Sequence, residues 1–543
     1  MNSGLSFPQR LFYCFLSAVL ICFSFPSFLD KTLAPSTAFL AWFALVPFFM
    51  ALRGVGSKRA AFLGFVFGLV QFGGVLYWIA ILQAAEYLSG LGWAALVLYL
   101  SLYPALFAGL YSWLFRKLQI SAIWWAPFLW LGIEYLRGSR PWGGFNWAEI
   151  GYSQAPYPAI LVCTTIAGVY GLTFLMVWVN LLLSKVLESK TLLSDTYSED
   201  KAGWPRWAYL ALPLVLVVSI YVWGNYSIKT TTLKKAGTVA LIQPSIDQAV
   251  KWSKSNETAT YDKLAELNVQ AQTTHPDLIV WPETAAPDYL LLMPRVLERV
   301  RDIVIQSKTF NLVGCLDAQR PKDIHEEVQY FNGAVHFSPQ GKPLGAYHKR
   351  HLVPFGEFVP FQRYLTFLGP VVGNLGNFDR GDRYEKFQTN TFSYTPMICY
   401  EAIFPDDARQ ALGTGADALV NISNDAWFGL TASPYQHAMM AVVRAAENRK
   451  PLLRSANTGI SLITDPFGRV LDSTPIYEDK VLSGDVWVTD GKPTFYARYG
   501  NWFPRLCLIV ILFLIGLALF KRDKELIQVP ATTPTSEEPP LAP

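Results

Sequence analysis

Three short segments end an apolar, strand-like run in a residue able to do acid–base or nucleophilic chemistry. Asp277-Leu-Ile-Val-Trp281-Pro282-Glu283-Thr284 closes such a run with a carboxylate. Tyr347-His348-Lys349-Arg350-His351-Leu352-Val353-Pro354-Phe355-Gly356-Glu357 sets a lysine shortly after another. Tyr394-Thr-Pro-Met-Ile-Cys399-Tyr400-Glu401 ends a third in a cysteine with an acid two residues on. If the three ends meet, one site holds a carboxylate, an ammonium and a thiol. That trio suits acyl transfer through a thioester. A cysteine with an ordinary pKa of about 8.5 carries little thiolate at neutral pH. A carboxylate can take the thiol proton and later relay it, and a lysine ammonium can stabilise both thiolate and tetrahedral oxyanion. Taken singly, a strand-end Glu or Cys is usually structural and a lone Lys usually solvated. The combination carries the signal.

The elements around these segments read as strands alternating with helices. Strand patterns fall at Thr238–Gln243, Asp277–Trp281, Phe310–Cys315, Gln329–Phe337, Phe392–Cys399, Ala416–Ile422, Pro451–Ser455, Ile460–Thr464 and Val481–Trp487. Helices are expected near Glu257–Gln272, Met293–Ser307 and Tyr435–Asn448. This order implies an α/β layered domain, in which ligands usually bind at strand ends. Two apolar stretches, Tyr289–Pro294 and Tyr364–Val372, read either as buried loops or as loops that touch a bilayer.

Composition says why a bilayer enters. Charged residues make up 16% of 543, aromatics 15%, and mean hydropathy is +0.25. A soluble globular chain carries about 25% charged residues, so a fully soluble or disordered chain is excluded. A net charge of +4 argues against a nucleic-acid binder, which would show a basic surface. Before residue 229 the acids are only Asp30, Glu86, Glu134, Glu149, Glu188, Asp195, Glu199 and Asp200. Eight apolar runs are long enough to be candidate spans: 10–28, 37–52, 60–83, 91–115, 121–137, 158–186, 206–224 and 503–520. The first ends in Ser24-Phe25-Pro26, without a small-x-small cleavage site, and reads as an uncleaved anchor.

The short loops on one side carry Arg10, Arg53, Lys58, Arg59, Arg116, Lys117, Lys185, Lys190, Lys201, Arg206, Lys521, Arg522 and Lys524. The other side carries Lys31, Arg137 and Arg140. The richer side is cytoplasmic, so both termini lie inside and residues 229–501 lie outside, in a bacterium on the periplasmic face of the inner membrane. The expected organisation is therefore a seven-span bundle over 1–228, a catalytic α/β domain over 229–501, a last span over 502–521 and a cytoplasmic, disordered tail over 522–543. Cys14, Cys22, Cys163 and Cys507 fall inside spans, where Cys acts as a small apolar residue. Nothing in the spacing of Cys315 and Cys399 fixes a disulfide.

Trp281-Pro-Glu283-Thr, the Lys349–Glu357 stretch, Cys399-Tyr-Glu401 and Asn421-Ile-Ser-Asn-Asp-Ala-Trp-Phe-Gly429 resemble the nitrilase superfamily. With the membrane bundle they closely resemble the apolipoprotein N-acyltransferase family. Glu134-Tyr-Leu-Arg137-Gly138, Gly144-Phe-Asn-Trp147 and Gly151-Tyr-Ser-Gln154 are similar to that family's loop region, and the match spans residues 5 to 520. The resemblance implies an αββα sandwich on eight membrane helices, with no cofactor or metal. It implies Glu283 as general base, Lys349 as oxyanion stabiliser and Cys399 as acylated nucleophile. Glu357 and Glu401 then match supporting carboxylates, Tyr400 an aromatic neighbour and Trp252 a tryptophan on a mobile substrate loop. The implied reaction is ping-pong: a phospholipid sn-1 acyl chain passes to Cys, then to the amine of diacylglyceryl-cysteine on an apolipoprotein. The 188–200 insert and the Pro/Thr tail depart from the family.

Other readings stay beside this one. His348 and His351 could pair on a metal, though no third ligand is near and hydrogen-bonded structural histidines fit better. Glu134 with Arg137 and Arg140 is either functional within the membrane or a surface-seeking pair. Asn421–Gly429 is a turn after a strand or, through Trp427 and Phe428, a wall of an acyl pocket. A membrane-tethered nitrilase-type hydrolase, with water as second acceptor, and a non-catalytic scaffold or transporter are the alternatives in function.

Overall fold

The computed structural model describes residues 5–82, 87–139, 144–188, 204–251, 254–319, 327–358 and 378–521. Trp252, Arg140, Tyr364–Val372, nearly all of the 188–200 insert and the tail lie outside the described residues.

Apolar helices come first. They run Phe7–Phe23, Val46–Leu52, Ser57–Val75, Tyr87–Leu118, Ala126–Ser139, Thr164–Glu188 and Arg206–Thr230, and Trp502–Phe520 returns to them after the sheets. An apolar helical segment lies within each of the eight expected spans. Among the described residues, four helices are long and apolar enough to cross a membrane: Ser89–Leu118, Thr164–Leu187, Trp207–Thr230 and Trp502–Phe520. The 37–52 run is not one helix but a 3-10 turn, Ala38–Trp42, followed by Val46–Leu52. Aromatic rings fill the centre, with Phe48 stacked on Phe67 at 4.4 Å and Phe107 edge-on to Trp130 at 4.9 Å.

Between Leu233 and Thr489 lie two sheets. The first has the order β13-β1-β2-β4-β5-β6, with β3 beside β4. Its strands are β1 Leu233–Gln243, β2 Leu278–Val280, β3 Ala286–Tyr289, β4 Phe310–Gln319, β5 Gln329–Phe337, β6 Pro343–His348 and β13 Lys480–Thr489. The second has the order β12-β11-β10-β9-β8-β7. It comprises β7 Phe387–Gln388, β8 Ser393–Ile398, β9 Ala418–Ser423, β10 Leu452–Ala456, β11 Leu462–Thr464 and β12 Val470–Ser473. The central pairings β1–β2, β2–β4, β8–β9 and β9–β10 are parallel.

The central strands are apolar on both faces because both faces are covered. Alternation sorts each face. Val239, Leu241, Leu278 and Val280 point to the second sheet and meet Ile398, Ala418, Val420 and Leu453 there. Ala240, Ile242 and Ile279 point the other way, against the helices Glu257–Gln272 and Pro294–Ser307. Met397 and Leu419 face the helices Pro405–Leu412 and Ser433–Asn448. The layers are therefore helix, sheet, sheet, helix. The expected strands are all present. β6 is the strand expected before Lys349; β3, β7 and β12 and the Pro405–Leu412 helix were not among the expected elements, because each is short or sits where polar residues break the pattern.

The Ser433–Asn448 helix is buried almost all round, as a helix between two apolar bodies must be. Ala438, Ala441, Val442 and Ala445 face the sheet, while Met439, Met440, Val443 and Ala446 enter the core of the bundle. Polar contacts pin the join. The Val169 N–H donates to Glu447 Oε1 at 2.7 Å, and Tyr152 Oη donates to the Ile403 carbonyl at 3.1 Å. The Val169 N–H is free to do so because the Thr164–Glu188 helix breaks at Ala167 and Gly168, where Gly168 takes φ +67°. The Glu134–Arg137 pair is no surface pair. Both side chains are buried, 3.6 Å apart, and Arg137 also donates to the carbonyls of Phe145 and Trp147. A charge pair this far from water is fixed by its neighbours rather than drawn to an interface.

A Cβ at position 168 would lie 2.8 Å from the Tyr496 ring, and the positive-φ, extended backbone there, a region populated almost only by glycine, costs another residue about 1–3 kcal/mol. Gly168→Ala is expected to lower the thermal unfolding midpoint of the detergent-solubilised chain. An unchanged midpoint by scanning calorimetry would show that this break does not hold the two parts together.

Candidate active site

Glu283 follows β2 in a turn held from three sides. Trp281 is fully buried and its indole N–H donates to Asn268 Oδ1 at 3.0 Å. Gly314 on β4 lets the turn approach, since a Cβ there would sit 2.1 Å from the Pro282 carbonyl oxygen. Lys251 reaches in from the far side and donates to the Glu283 carbonyl at 3.1 Å and to Thr284 Oγ1 at 2.7 Å. Burial pushes the Lys251 pKa down to about 7, against the pull of the Glu283 carboxylate. The Glu283 side chain is buried. Its Oε1 accepts from Asn332 Nδ2 at 2.8 Å and its Oε2 from the Asn424 N–H at 2.7 Å.

Lys349 comes one residue after β6, which brings its side chain inward beside β5. The ammonium is 1% exposed, so its charge must be met by protein. It donates to Glu357 Oε1 at 2.9 Å and approaches Glu283 Oε1 at 3.5 Å. Asn332 Nδ2 bonds both carboxylates, at 2.8 Å to Glu283 and 2.9 Å to Glu357. Glu357 Oε2 in turn accepts from the Val353 N–H at 2.9 Å. Burial pulls the Lys349 pKa down, but Glu357 and Glu283 outweigh it and hold the ammonium charged, above its ordinary range.

Cys399 follows β8 with φ +51°, a left-handed conformation that a non-glycine residue adopts at a cost of about 1–3 kcal/mol. Glu401 organises both loops at this point. Its Oε2 accepts from the Ile398 N–H at 2.7 Å, and its Oε1 from the Arg350 and His351 N–H groups at 2.7 and 3.1 Å. Tyr347 Oη donates to it at 2.9 Å. One carboxylate thus ties the loop after β6 to the loop after β8. Burial raises the Glu401 pKa, and those backbone N–H groups and Lys349 oppose the rise. Tyr400 is buried, edge-on to Phe404 at 4.9 Å and to His351 at 5.8 Å.

The Cys399 thiol is pushed up by burial first and by Glu283 next, with Lys349 opposing and a hydrogen bond to Ser423 helping the thiolate. Charge adds to burial. Two carboxylates, Glu283 and Glu357, already face the single Lys349 ammonium, so a thiolate would add a second unbalanced negative charge. Burial and charge thus both favour the thiol over the thiolate.

The structure brings Glu283, Lys349, Glu357, Cys399, Tyr400 and Glu401 together. Trp427 and Phe428 follow β9 in a 3-10 turn, half-buried. Phe428 meets Trp78 of the bundle edge-on at 5.0 Å, and Trp78 lies 5.0 Å from Trp147. His348 and His351 turn apart. His348 pairs with Asp317 at 2.7 Å and His351 with Asp407 at 2.8 Å. Among the described residues no group of His, Cys, Asp and Glu is arranged to hold a metal. All six cysteines are free thiols. Of the apolar Tyr289–Pro294 stretch, Leu290 is buried while Leu291 and Leu292 are exposed. Sequence reasoning missed Asn332, Lys251 and the backbone role of Asn424. The signal for Asn332 was an amide between the apolar residues Phe331 and Gly333–Val335 of its strand; Lys251 looks like any surface lysine.

A double-sheet domain with a Glu, Lys and Cys at its strand ends defines a nitrilase-type fold, and residues 238–493 match the family described as Carbon-nitrogen hydrolase. Residues 17–182 match the Apolipoprotein N-acyltransferase N-terminal domain. The chain is 36% identical to the apolipoprotein N-acyltransferase of Geobacter metallireducens over 94% of this chain and 95% of that one. It is 31% identical to that of Brucella melitensis over 95% and 97%, and 32% identical to that of Vibrio vulnificus over 83% and 87%. The chain belongs to the apolipoprotein N-acyltransferase family. Among solved structures, an amidase from Nesterenkonia sp. is similar at 16% identity and TM-score 0.36, covering 50% of this chain and 95% of that one. Saccharomyces cerevisiae Nit3 is similar at 17% identity and TM-score 0.36, covering 47% and 93%.

A thiol raised in this way forms thiolate in proportion to hydroxide. Alkylation of Cys399 by iodoacetamide should therefore rise by about tenfold per pH unit between about pH 7 and pH 9 without levelling. A plateau below about pH 8 would mean that a thiolate–ammonium pair already exists at rest.

Proposed function

We propose that the chain is an N-acyltransferase that moves a phospholipid sn-1 acyl chain through a Cys399 thioester to the α-amine of a diacylglyceryl-cysteine on apolipoproteins. The observation that carries this reading is the shared contact of Lys349 and Asn332 with Glu283, beside a cysteine whose proton Glu283 could accept. Family membership supplies the lipid substrates.

In the first half-reaction the Glu283 carboxylate takes the Sγ–H proton as sulfur attacks the ester carbonyl. Lys349 stabilises the oxyanion. The ester C–O bond then breaks, Glu283 returns the proton to the leaving glycerol oxygen, and lysophospholipid departs. In the second, the neutral amine attacks the thioester carbonyl and Glu283 takes its proton. The C–S bond breaks, the amide forms, and the proton goes back to sulfur. Glu357 keeps Lys349 charged and aimed, and Glu401 holds the two loops in register. Trp427 and Phe428, with Trp78 of the bundle, wall the acyl chain, Tyr400 backs the nucleophile, and Trp252 belongs to a substrate loop. No metal or cofactor has a step in this scheme.

The loop charge asymmetry supports a placement with residues 229–501 on the periplasmic face of a bacterial inner membrane and both termini in the cytoplasm. There the site opens toward outer-leaflet lipids, so donor and acceptor both arrive laterally. Exposed Leu291 and Leu292 suit a loop that touches that leaflet.

With phospholipid labelled in the sn-1 chain and a diacylglyceryl-cysteine peptide, label should move to the peptide amine. Cys399→Ala should transfer none. Glu283→Gln and Lys349→Ala should each lose about 100-fold or more, the scale of a lost base or oxyanion donor. Near-normal transfer by Cys399→Ala, or release of label as free fatty acid at the same rate without peptide, would contradict the reading.

A further inference from the structure

Cys399 holds a strained backbone conformation, and two contacts fix it from opposite sides. The peptide N–H before it, of Ile398, is taken by Glu401. The Cys399 carbonyl is met by His437 Nε2 at 3.1 Å. His437 belongs to the Ser433–Asn448 helix and is 1% exposed. A carbonyl only accepts, so Nε2 carries the proton. Burial, followed by the Arg454 charge, disfavours a second proton on the ring. Nδ1 of the neutral ring then accepts from Arg454 Nη2 at 3.1 Å.

Arg454 is itself fully buried. It pairs with Asp425 Oδ2 at 2.9 Å and bonds Asn421 Oδ1. Asp425 Oδ1 lies 3.1 Å from His437 Nδ1 and accepts from Ser423 Oγ at 2.8 Å, and Ser423 contacts the Cys399 thiol. Arg454, itself fixed by Asp425, therefore orients the ring, and the other contacts of that ion pair lead back to the cysteine. Its neighbour Gln436 seats the same helix in the bundle. Gln436 Oε1 accepts from Trp147 and Trp78 at 2.7 and 3.2 Å, and Nε2 donates to the carbonyls of Pro26 and Val75 at 2.8 and 3.2 Å. Trp147 also packs on the His437 ring at 5.7 Å.

We propose that His437, oriented by Arg454, is a positioning residue for the nucleophile. Its Nε2–H fixes the Cys399 carbonyl, keeps the thiol aimed at Glu283 and Lys349, and ties that aim to the seating of the helix in the membrane bundle. The inference rests on Cys399 being the acylated residue. No motif marks His437 in the sequence.

The test compares His437→Gln, His437→Asn and His437→Leu in the full-length chain in detergent. Glutamine carries an amide N–H at the reach of Nε2; asparagine stops at the reach of Nδ1. The readouts are the single-turnover rate of Cys399 acylation at saturating phospholipid and the phospholipid concentration for half that rate. Glutamine should keep the rate within about threefold of wild type, and asparagine and leucine should lose about tenfold or more, the scale of one hydrogen bond. Half-saturation should stay within about twofold in all of them. Equal rates for glutamine and asparagine, or a loss confined to half-saturation, would overturn the inference while leaving Cys399 as nucleophile. Should leucine fail to fold, the glutamine–asparagine contrast still decides. A wild-type chain that forms no acyl-enzyme would overturn the assignment of Cys399 itself, and the inference with it.

Discussion

One buried ammonium holds the site together. Lys349 is enclosed by protein and shared between Glu357 and Glu283, with Asn332 bonding both carboxylates. Removing one partner from such a group leaves an uncompensated buried charge, which costs about 3–5 kcal/mol. The four residues come from the turn after β2, from β5, and from the loop after β6, so the register of the first sheet is fixed by the need to keep them in contact. The second sheet joins through Glu401, which takes N–H groups from both the Lys349 loop and the end of β8. The same charge arrangement adds to burial in favouring the Cys399 thiol: two carboxylates already face one ammonium.

The Ser433–Asn448 helix extends this constraint into the bundle. A helix with one polar face would belong to one body; this one is apolar on two and belongs to both. Three of its buried polar side chains bond neighbouring elements. Gln436 satisfies two indole N–H groups and two carbonyls, His437 meets Cys399, and Glu447 takes the N–H freed at the Gly168 break. Buried polar groups that are satisfied in this way set a unique geometry at little net gain in stability. The sheet domain and the bundle are thereby seated in one register, which suits the proposed reaction, in which the site meets lipid on one side and holds a strained cysteine on the other.

Much of this was legible in the residue pattern. The Leu278–Val280 and Ala418–Ile422 runs are apolar at every position or nearly so because sheet lies on one face and helix on the other. Glu283, Lys349 and Cys399 were readable because each interrupts an apolar run at its end. What stayed hidden has a common physical cause. Asn332, Asn424 and His437 act through hydrogen bonds made across the fold, and nothing in their local sequence marks the partners. Lys251 is a buried lysine in a polar segment, and only tertiary packing distinguishes it from a solvated one. Glu134 and Arg137 stand at helical spacing, which predicts their pairing but not that the pair is buried. The 37–52 run has the hydropathy of a span, yet it breaks at Phe43–Leu45, and hydropathy carries no information about that break.

The most direct test of the account is the intact mass of the purified chain after incubation with phospholipid alone, followed by proteolysis and fragmentation to locate any added group. The account predicts one acyl increment, on the peptide carrying Cys399, labile to hydroxylamine and lost when a diacylglyceryl-cysteine peptide is added. An increment on another residue, or none in well-folded protein, would contradict it.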